Sequence, residues 1–161
     1  MMKACCFTGH RDLPAGKEAW IAEQARSLLI RLMDEGVTEF RVGGAVGFDM
    51  LMAELLLKMR DEEKKPVRIV SVIPYPEWRA GWQAAEKARQ DVILEKSDQV
   101  TFVRDSYCRG VYMIRNRALA DGADFCIAWC NRETGGSAWT VRYAGKKGLK
   151  VFNLAGGSVC L

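Results

Sequence analysis

Residues 39–57 read EFRVGGAVGFDMLMAELLL, and three consecutive pieces of that stretch decide the fold. EFRV (39–42) is a short strand-like run. Gly43-Gly44-Ala45-Val46-Gly47 breaks it, and from about residue 48 Leu51, Leu55, Leu56 and Met59 recur at helical spacing until Lys64, Lys65 and Pro66 close the segment. A strand that runs through glycines straight into a helix is the unit of a parallel sheet, because parallel neighbours must be joined by a crossover.

The same alternation continues in both directions. Strands are predicted near 3–8 (KACCFT), 67–73 (VRIVSVI), 98–103 (DQVTFV), 124–129 (DFCIAW) and 149–153 (LKVFN). A helix is predicted over 17–35, with Trp20, Ala25, Leu28, Leu29 and Leu32 on its apolar face and Gly36 at its end, and others over 48–64, 79–96, 112–121 and 137–147. The coil expected to be mobile is 104–111. The strand-like runs are apolar on both faces, as strands covered on two sides must be. The expected fold is therefore α/β: a mostly parallel sheet with helices on both faces, three layers α/β/α, in one domain over 1–161.

Composition narrows the function. The 161 residues are 49% hydrophobic, enough for a real core, and 24 Lys and Arg against 20 Asp and Glu leave a net charge of +4. An excess this mild favours a small anionic ligand over duplex DNA. Cys5, Cys6, Cys108, Cys126, Cys130 and Cys160 show no paired C-x-x-C spacing; Cys5, Cys6 and Cys126 sit in strand-like runs as small hydrophobes, and a reducing cytoplasm is the expected compartment. The N-terminal residues reach Gly9 without an apolar signal core, and no run approaches the roughly 20 apolar residues of a membrane helix. His10 is the only histidine, so a His cluster or His-Asp relay cannot be assembled. No catalytic residue, metal or cofactor is assigned.

In a sheet of this kind ligands bind beyond the carboxyl ends of the strands. After the first strand, Gly9 allows a tight turn from which Thr8, His10 and Arg11 present donors, or which serves only as a helix entry. After the second, Gly43 and Gly44 bare backbone amides at a helix start, where the dipole favours an anion. The loop matches neither standard nucleotide fingerprint, and Asp49 either accepts from ribose hydroxyls or caps its own helix. After the third, Pro74-Tyr75-Pro76-Glu77-Trp78 offers two aromatics for stacking on a base, or a lid over the core. Near the fourth helix start, Arg115, Asn116 and Arg117 oppose the helix dipole, which an anionic ligand would explain. After the fifth, Gly135 and Gly136 with Ser137 and Thr140 repeat the anion-binding pattern.

Taken together, TGHR (8–11), VGGAVGFD (42–49), PYPEW (74–78), RNRALADGADFCIAW (115–129) and TGGSAWTVRYA (134–144) resemble the YpsA-like family of bacterial and prophage proteins. That family lies in the SLOG superfamily with DNA-processing protein A and the LONELY GUY hydrolases. The resemblance implies a Rossmann-like sheet with Gly43, Gly44 and Asp49 in a first ligand loop. It also implies that Gly135, Gly136, Ser137 and Thr140 stand for the Gly-Gly-Thr phosphate loop, and that Arg115, Asn116 and Arg117 match an Arg-Asn-Arg motif. The hydrolases carry a catalytic Glu after their loop, whereas here Thr140 is followed by Val141, Arg142 and Tyr143; Glu77 and Glu133 are the substitutes, without a spacing argument for either.

The leading expectation is binding or sensing of a nucleotide or nucleotide-derived phosphorylated ligand, without catalysis. Phosphate would lie on the two glycine loops with Arg11, Arg115 or Arg117, ribose at Asp49, and the base beside Tyr75 or Trp78. The first alternative is a phosphoribohydrolase-like N-glycosidase. The second is single-stranded nucleic-acid binding, for which Trp20 and Trp129, both at core-like positions, leave few aromatics. Apolar helix surface is compatible with a homodimer whose face the sequence does not specify.

Overall fold

The computed structural model describes residues 2–156, so Cys160 lies outside the described residues. Six strands alternate with five helices: β1 (Lys3–Gly9), α1 (Glu18–Asp34), β2 (Val37–Val42), α2 (Phe48–Asp61), β3 (Arg68–Ile73), α3 (Ala84–Lys96), β4 (Gln99–Phe102), α4 (Val111–Ala120), β5 (Phe125–Trp129), α5 (Gly136–Lys146) and β6 (Lys150–Asn153). The strands form one sheet in the order β4-β3-β2-β1-β5-β6, with every neighbouring pair parallel.

That order is Rossmann-like. The chain steps outward from β1 to β4, then returns past β1 to place β5 on its other side. The reversal therefore falls between β1 and β5, which run side by side with Thr8 opposite Ala128 and Gly9 opposite Trp129. Chain leaves these two strands toward opposite faces, opening a crevice above their carboxyl ends.

The two faces are unequal. Side chains alternate along a strand, and Cys5 and Phe7 of β1 join Phe40, Ile69 and Ile127 in a large core under α1, α2 and α3. On the other face Cys6, Val70, Val72 and Cys126 form a smaller cluster with Leu119 and Ala120 of α4, Ala144 of α5 and Leu149. Small residues on both sides let those helices lie close to the sheet.

Four expectations need correction. Trp20 is 48% exposed, standing edge-on to buried Trp129, and Ile21 takes the core position on α1. The helix predicted over 79–96 begins at Ala84, because Ala80 and Trp82 donate back to Glu77 and Arg79 in successive turns and Gln83 is extended. Strand β4 is an edge, and Val100 and Phe102 are exposed rather than covered. The fourth helix starts at Val111, so Arg115, Asn116 and Arg117 stand in its second turn, not at its entrance.

Candidate functional site

A cavity of about 370 Å³ opens over the β1/β5 reversal. Its floor is the end of β1, where Thr8 and His10 are buried. Gly9 is required there for packing, because a Cβ would stand 2.5 Å from the Phe48 ring of α2. His10 is held on three sides: its amide donates to Trp129 (3.2 Å), its carbonyl accepts from Phe48 (3.1 Å), and its Nε2 accepts from the Asn131 amide (3.0 Å). An Nε2 that accepts puts the neutral ring's proton on Nδ1. Burial, and then the nearby Arg132 charge, hold His10 below the ordinary histidine range.

The glycine loop after β2 closes on itself. The Phe48 amide, first of helix α2, is taken by the His10 carbonyl. Gly47, at φ +80°, packs so tightly against the Arg11 carbonyl that no Cβ would fit. Gly44, at φ +75°, lies against Ile73 and Trp78, and its carbonyl accepts from Trp78 Nε1 at 2.9 Å. Asp49 does not act as the cap residue of α2, which is Gly47. Its carboxyl instead lies under the influence of the Ala45 and Gly43 amides, and Oδ1 has no partner. Burial pushes Asp49 up to about 6 against the opposing pull of Arg115, those amides and Arg11.

The loop after β5 is open. Gly135, at φ +99°, has no atom near a would-be Cβ, and Gly136 has only Asn116 Nδ2, at 3.7 Å. Both are exposed, and no side chain caps α5. Its first amides therefore face the cavity as an anion-binding start.

Arg115 joins the two loops. One of its Nη atoms donates to the Gly43 carbonyl and its Nε to Asn116 Oδ1 at 2.9 Å, directing the Asn116 amide nitrogen toward Gly136. Burial lowers the Arg115 pKa, while Asp49 opposes that shift. At the mouth, Arg132 pairs with Asp12 at 2.6 Å between the β1 and β5 loops, both groups largely exposed.

Of the predicted residues, Thr8, Gly9, His10, Arg11, Asp49, Arg115, Asn116, Gly135, Gly136 and Ser137 come together around this cavity. The others stand elsewhere. Gly43 lies behind Asp49 and Gly44 packs on Trp78. Trp78 is buried against the glycine loop, with Arg79 over its ring. Tyr75 meets Tyr107 and Tyr112 edge-on beyond the cavity. Arg117 covers the Trp139 ring, and buried Thr140 donates back to the Gly136 carbonyl at 2.8 Å. Neither Glu77 nor Glu133 lines the cavity, whose carboxylates are Asp12 and Asp49. Asp12, Tyr112, Arg132 and Thr134 line it without having been foreseen. The only signals were that Asp12 follows Arg11 and that Arg132 lies in the glycine-bearing loop after the fifth strand.

A sequence model described as the YspA SLOG family matches residues 8–150. The chain belongs to this family. A UPF0398 protein of Listeria monocytogenes is 22% identical over 145 residues, covering 84% of this chain and 79% of that protein. DNA processing protein A from Streptococcus pneumoniae superposes with a TM-score of 0.68 at 17% identity, covering 99% of this chain. The same-named protein from Helicobacter pylori, described for its single-stranded DNA binding mode, gives 0.65 at 19% identity over 94% of this chain. The chain spans about half of the pneumococcal protein (52%) and under two thirds of the H. pylori one (64%), so these likenesses concern the fold. Among the described residues no helix is long and apolar enough to cross a membrane.

Proposed function

We propose that the cavity binds a nucleotide or nucleotide-derived small molecule through its phosphate, and that it does so without turnover. The observation that carries this reading is the open start of α5. Unclaimed backbone amides at Gly136 and Ser137 lie where the strand order reverses, beside Asn116 and within the field of Arg11, Arg115 and Arg132. A phosphate on those amides takes several charge-assisted hydrogen bonds at once. The absence of turnover is supported by the Val141-Arg142-Tyr143 that follows Thr140 and by Glu77 and Glu133 lying away from the cavity.

The test is a thermal-shift screen of nucleotides and nucleotide sugars on the full chain, with inorganic phosphate as control. A ligand at a hundred times its Kd stabilises the fold by about 2.7 kcal/mol. Nucleotides that shift Tm no more than phosphate does would overturn the reading, and release of free base from nucleoside monophosphates would convert it into a hydrolase.

A second reading, single-stranded nucleic acid, is favoured by the tyrosines beyond the cavity. Exposed Tyr107 stands edge-on to Tyr75 in the same segment as exposed Arg104 and Arg109, an aromatic and basic strip of the kind that stacks bases. Affinity for oligothymidylate that falls steeply with salt would support it.

A further inference from the structure

A sheet that does not close has two edges, and each presents a row of backbone groups that another strand can complete. The two edges of this sheet, β4 and β6, are built differently. Strand β6 opens with exposed Lys150, buries Phe152 and ends at Asn153, whose side chain donates to the Cys130 carbonyl. Strand β4 carries none of the usual guards. Gln99-Val100-Thr101-Phe102 has no charge and no proline, pairs with β3 in unbroken register, and leaves Val100 36% and Phe102 43% exposed.

The ladder to β3 fixes which groups face outward. The Val103 amide donates to the Ile73 carbonyl at 2.9 Å, and backbone direction alternates along a strand. Thr101 therefore points inward with Val103, while the N–H and C=O of Val100 and Phe102 point away from the sheet. Their side chains share the face that carries Ser71 and Ile73 of β3, and Thr101 lies on the other.

This edge is complementary to itself. Laid antiparallel to a second copy about a two-fold axis at Thr101, Val100 comes opposite Phe102 of the other copy, and Phe102 opposite its Val100. Both are pairs that exchange N–H and C=O, so the outward groups of the two strands satisfy one another. Between them Thr101 meets its own copy, a favourable cross-strand pair. Charge agrees with the same axis. Asp98 and Arg104 are exposed and stand three residues to either side of Thr101, so opposite charges meet at each end of the ribbon. The Asp98 carboxylate is held there by the Ile69 amide (2.8 Å) and Arg60 (3.1 Å). An axis at Val100 would instead set Arg104 against Lys96.

We propose that β4 is the contact between two copies of this chain, joined as antiparallel edge strands about Thr101 into one continuous sheet. The two halves of that sheet run in opposite directions, so the cavities over β1 and β5 open at opposite ends and stay clear of the contact. A contact built on so short a strand belongs with the weak, exchanging interfaces.

The experiment is sedimentation velocity of the full chain over roughly 1–300 μM, where a weak interface fills. The native chain is expected to pass from monomer toward dimer. Phe102→Lys, at an exposed position, should stay monomeric throughout while keeping the native circular dichroism and Tm. Arg104→Glu sets like charges beside Asp98 and should weaken the dimer several-fold; a tighter dimer would mean an axis shifted toward Lys96 and would overturn this pairing. In Thr101→Cys the new thiols face each other across about 4.5 Å between Cα atoms, within reach of a disulfide. Mild oxidation should therefore yield a covalent dimer that reduction reverses, whereas Gln99→Cys, off the axis, should yield no more than the native chain. The proposal is overturned by a native chain that stays monomeric at the highest concentration, by a dimer that Phe102→Lys leaves intact, or by Thr101→Cys crosslinking no better than Gln99→Cys.

Discussion

Two glycine loops that look alike in sequence, Gly43-Gly44-Ala45-Val46-Gly47 and Thr134-Gly135-Gly136-Ser137, do opposite things. Both sit between a parallel strand and a helix start. The first is filled by the protein itself: the Asp49 carboxyl lies against Gly43, the His10 carbonyl takes the first helical N–H, and Trp78 and Ile73 press on Gly44. The second is left open, with space above Gly135 and only an amide nitrogen near Gly136. A helix start is thus an anion site only when nothing in the chain has answered it first, and among the neighbours that answer it His10, Ile73 and Trp78 are remote in sequence.

The strongest way to break this contrast is to add one methyl group to the first loop. Gly47→Ala forces a side chain to φ +80° and into the Arg11 carbonyl, so destabilisation of about 3 kcal/mol or more is expected in denaturant unfolding. A near-native midpoint would show that the first loop can open.

Acidity distinguishes the loops next. With Asp49 held at about 6 against an ordinary 3.8, the folded state keeps a proton that the unfolded chain releases. Stability from this group is therefore present below the unfolded value and lost as pH rises through about 6, by roughly 3 kcal/mol. His10, held low by burial, works the other way: the unfolded chain takes up its proton first, so acidification below the ordinary histidine value costs stability. Unfolding of Asp49→Asn across pH 4–8 should lack the first contribution and keep the second. A profile unchanged from the native one would contradict the assignment of Asp49 as a buried carboxylate.

Gly136→Leu should leave the fold within about 1 kcal/mol, since Leu is a good helix former and the space is open. Nucleotide affinity should nevertheless fall about tenfold or more, because the side chain covers the amides. The smallest effect is expected at the mouth. Asp12→Asn frees Arg132 from an exposed pair, which should barely move Tm and should tighten binding of a phosphate only a few-fold. Weaker binding would mean that Asp12 itself contacts the ligand.

Much of the framework was legible because glycine breaks, β-branched runs and helical spacing are local signals. Every strand and helix but the start of α3 lies near its expected place, and the loop ends carrying Thr8, Asp49 and Gly136 were visible as strand ends or helix starts. Strand order is not local. Only the passage of the chain from β4 back to β5 brings Arg132 and Asp12 together and turns Tyr112 inward. One-residue offsets were also hidden: Ile21 rather than Trp20 points to the core, and Arg117 lies over Trp139 while its neighbour Asn116 reaches the cavity. Trp78 read equally as a stacking platform or as a cover over the core, because proline-flanked aromatics at a strand end look alike whether they face solvent or support a loop.

The guanidinium of Arg115 is immobilised before any guest arrives, tied to Gly43 and Asn116 and mostly out of water. A long flexible side chain normally surrenders rotational freedom when it grips an anion. Here that entropy has already been lost in folding, so association should carry a smaller entropic penalty than a surface arginine would impose, and the geometry of capture is set in advance.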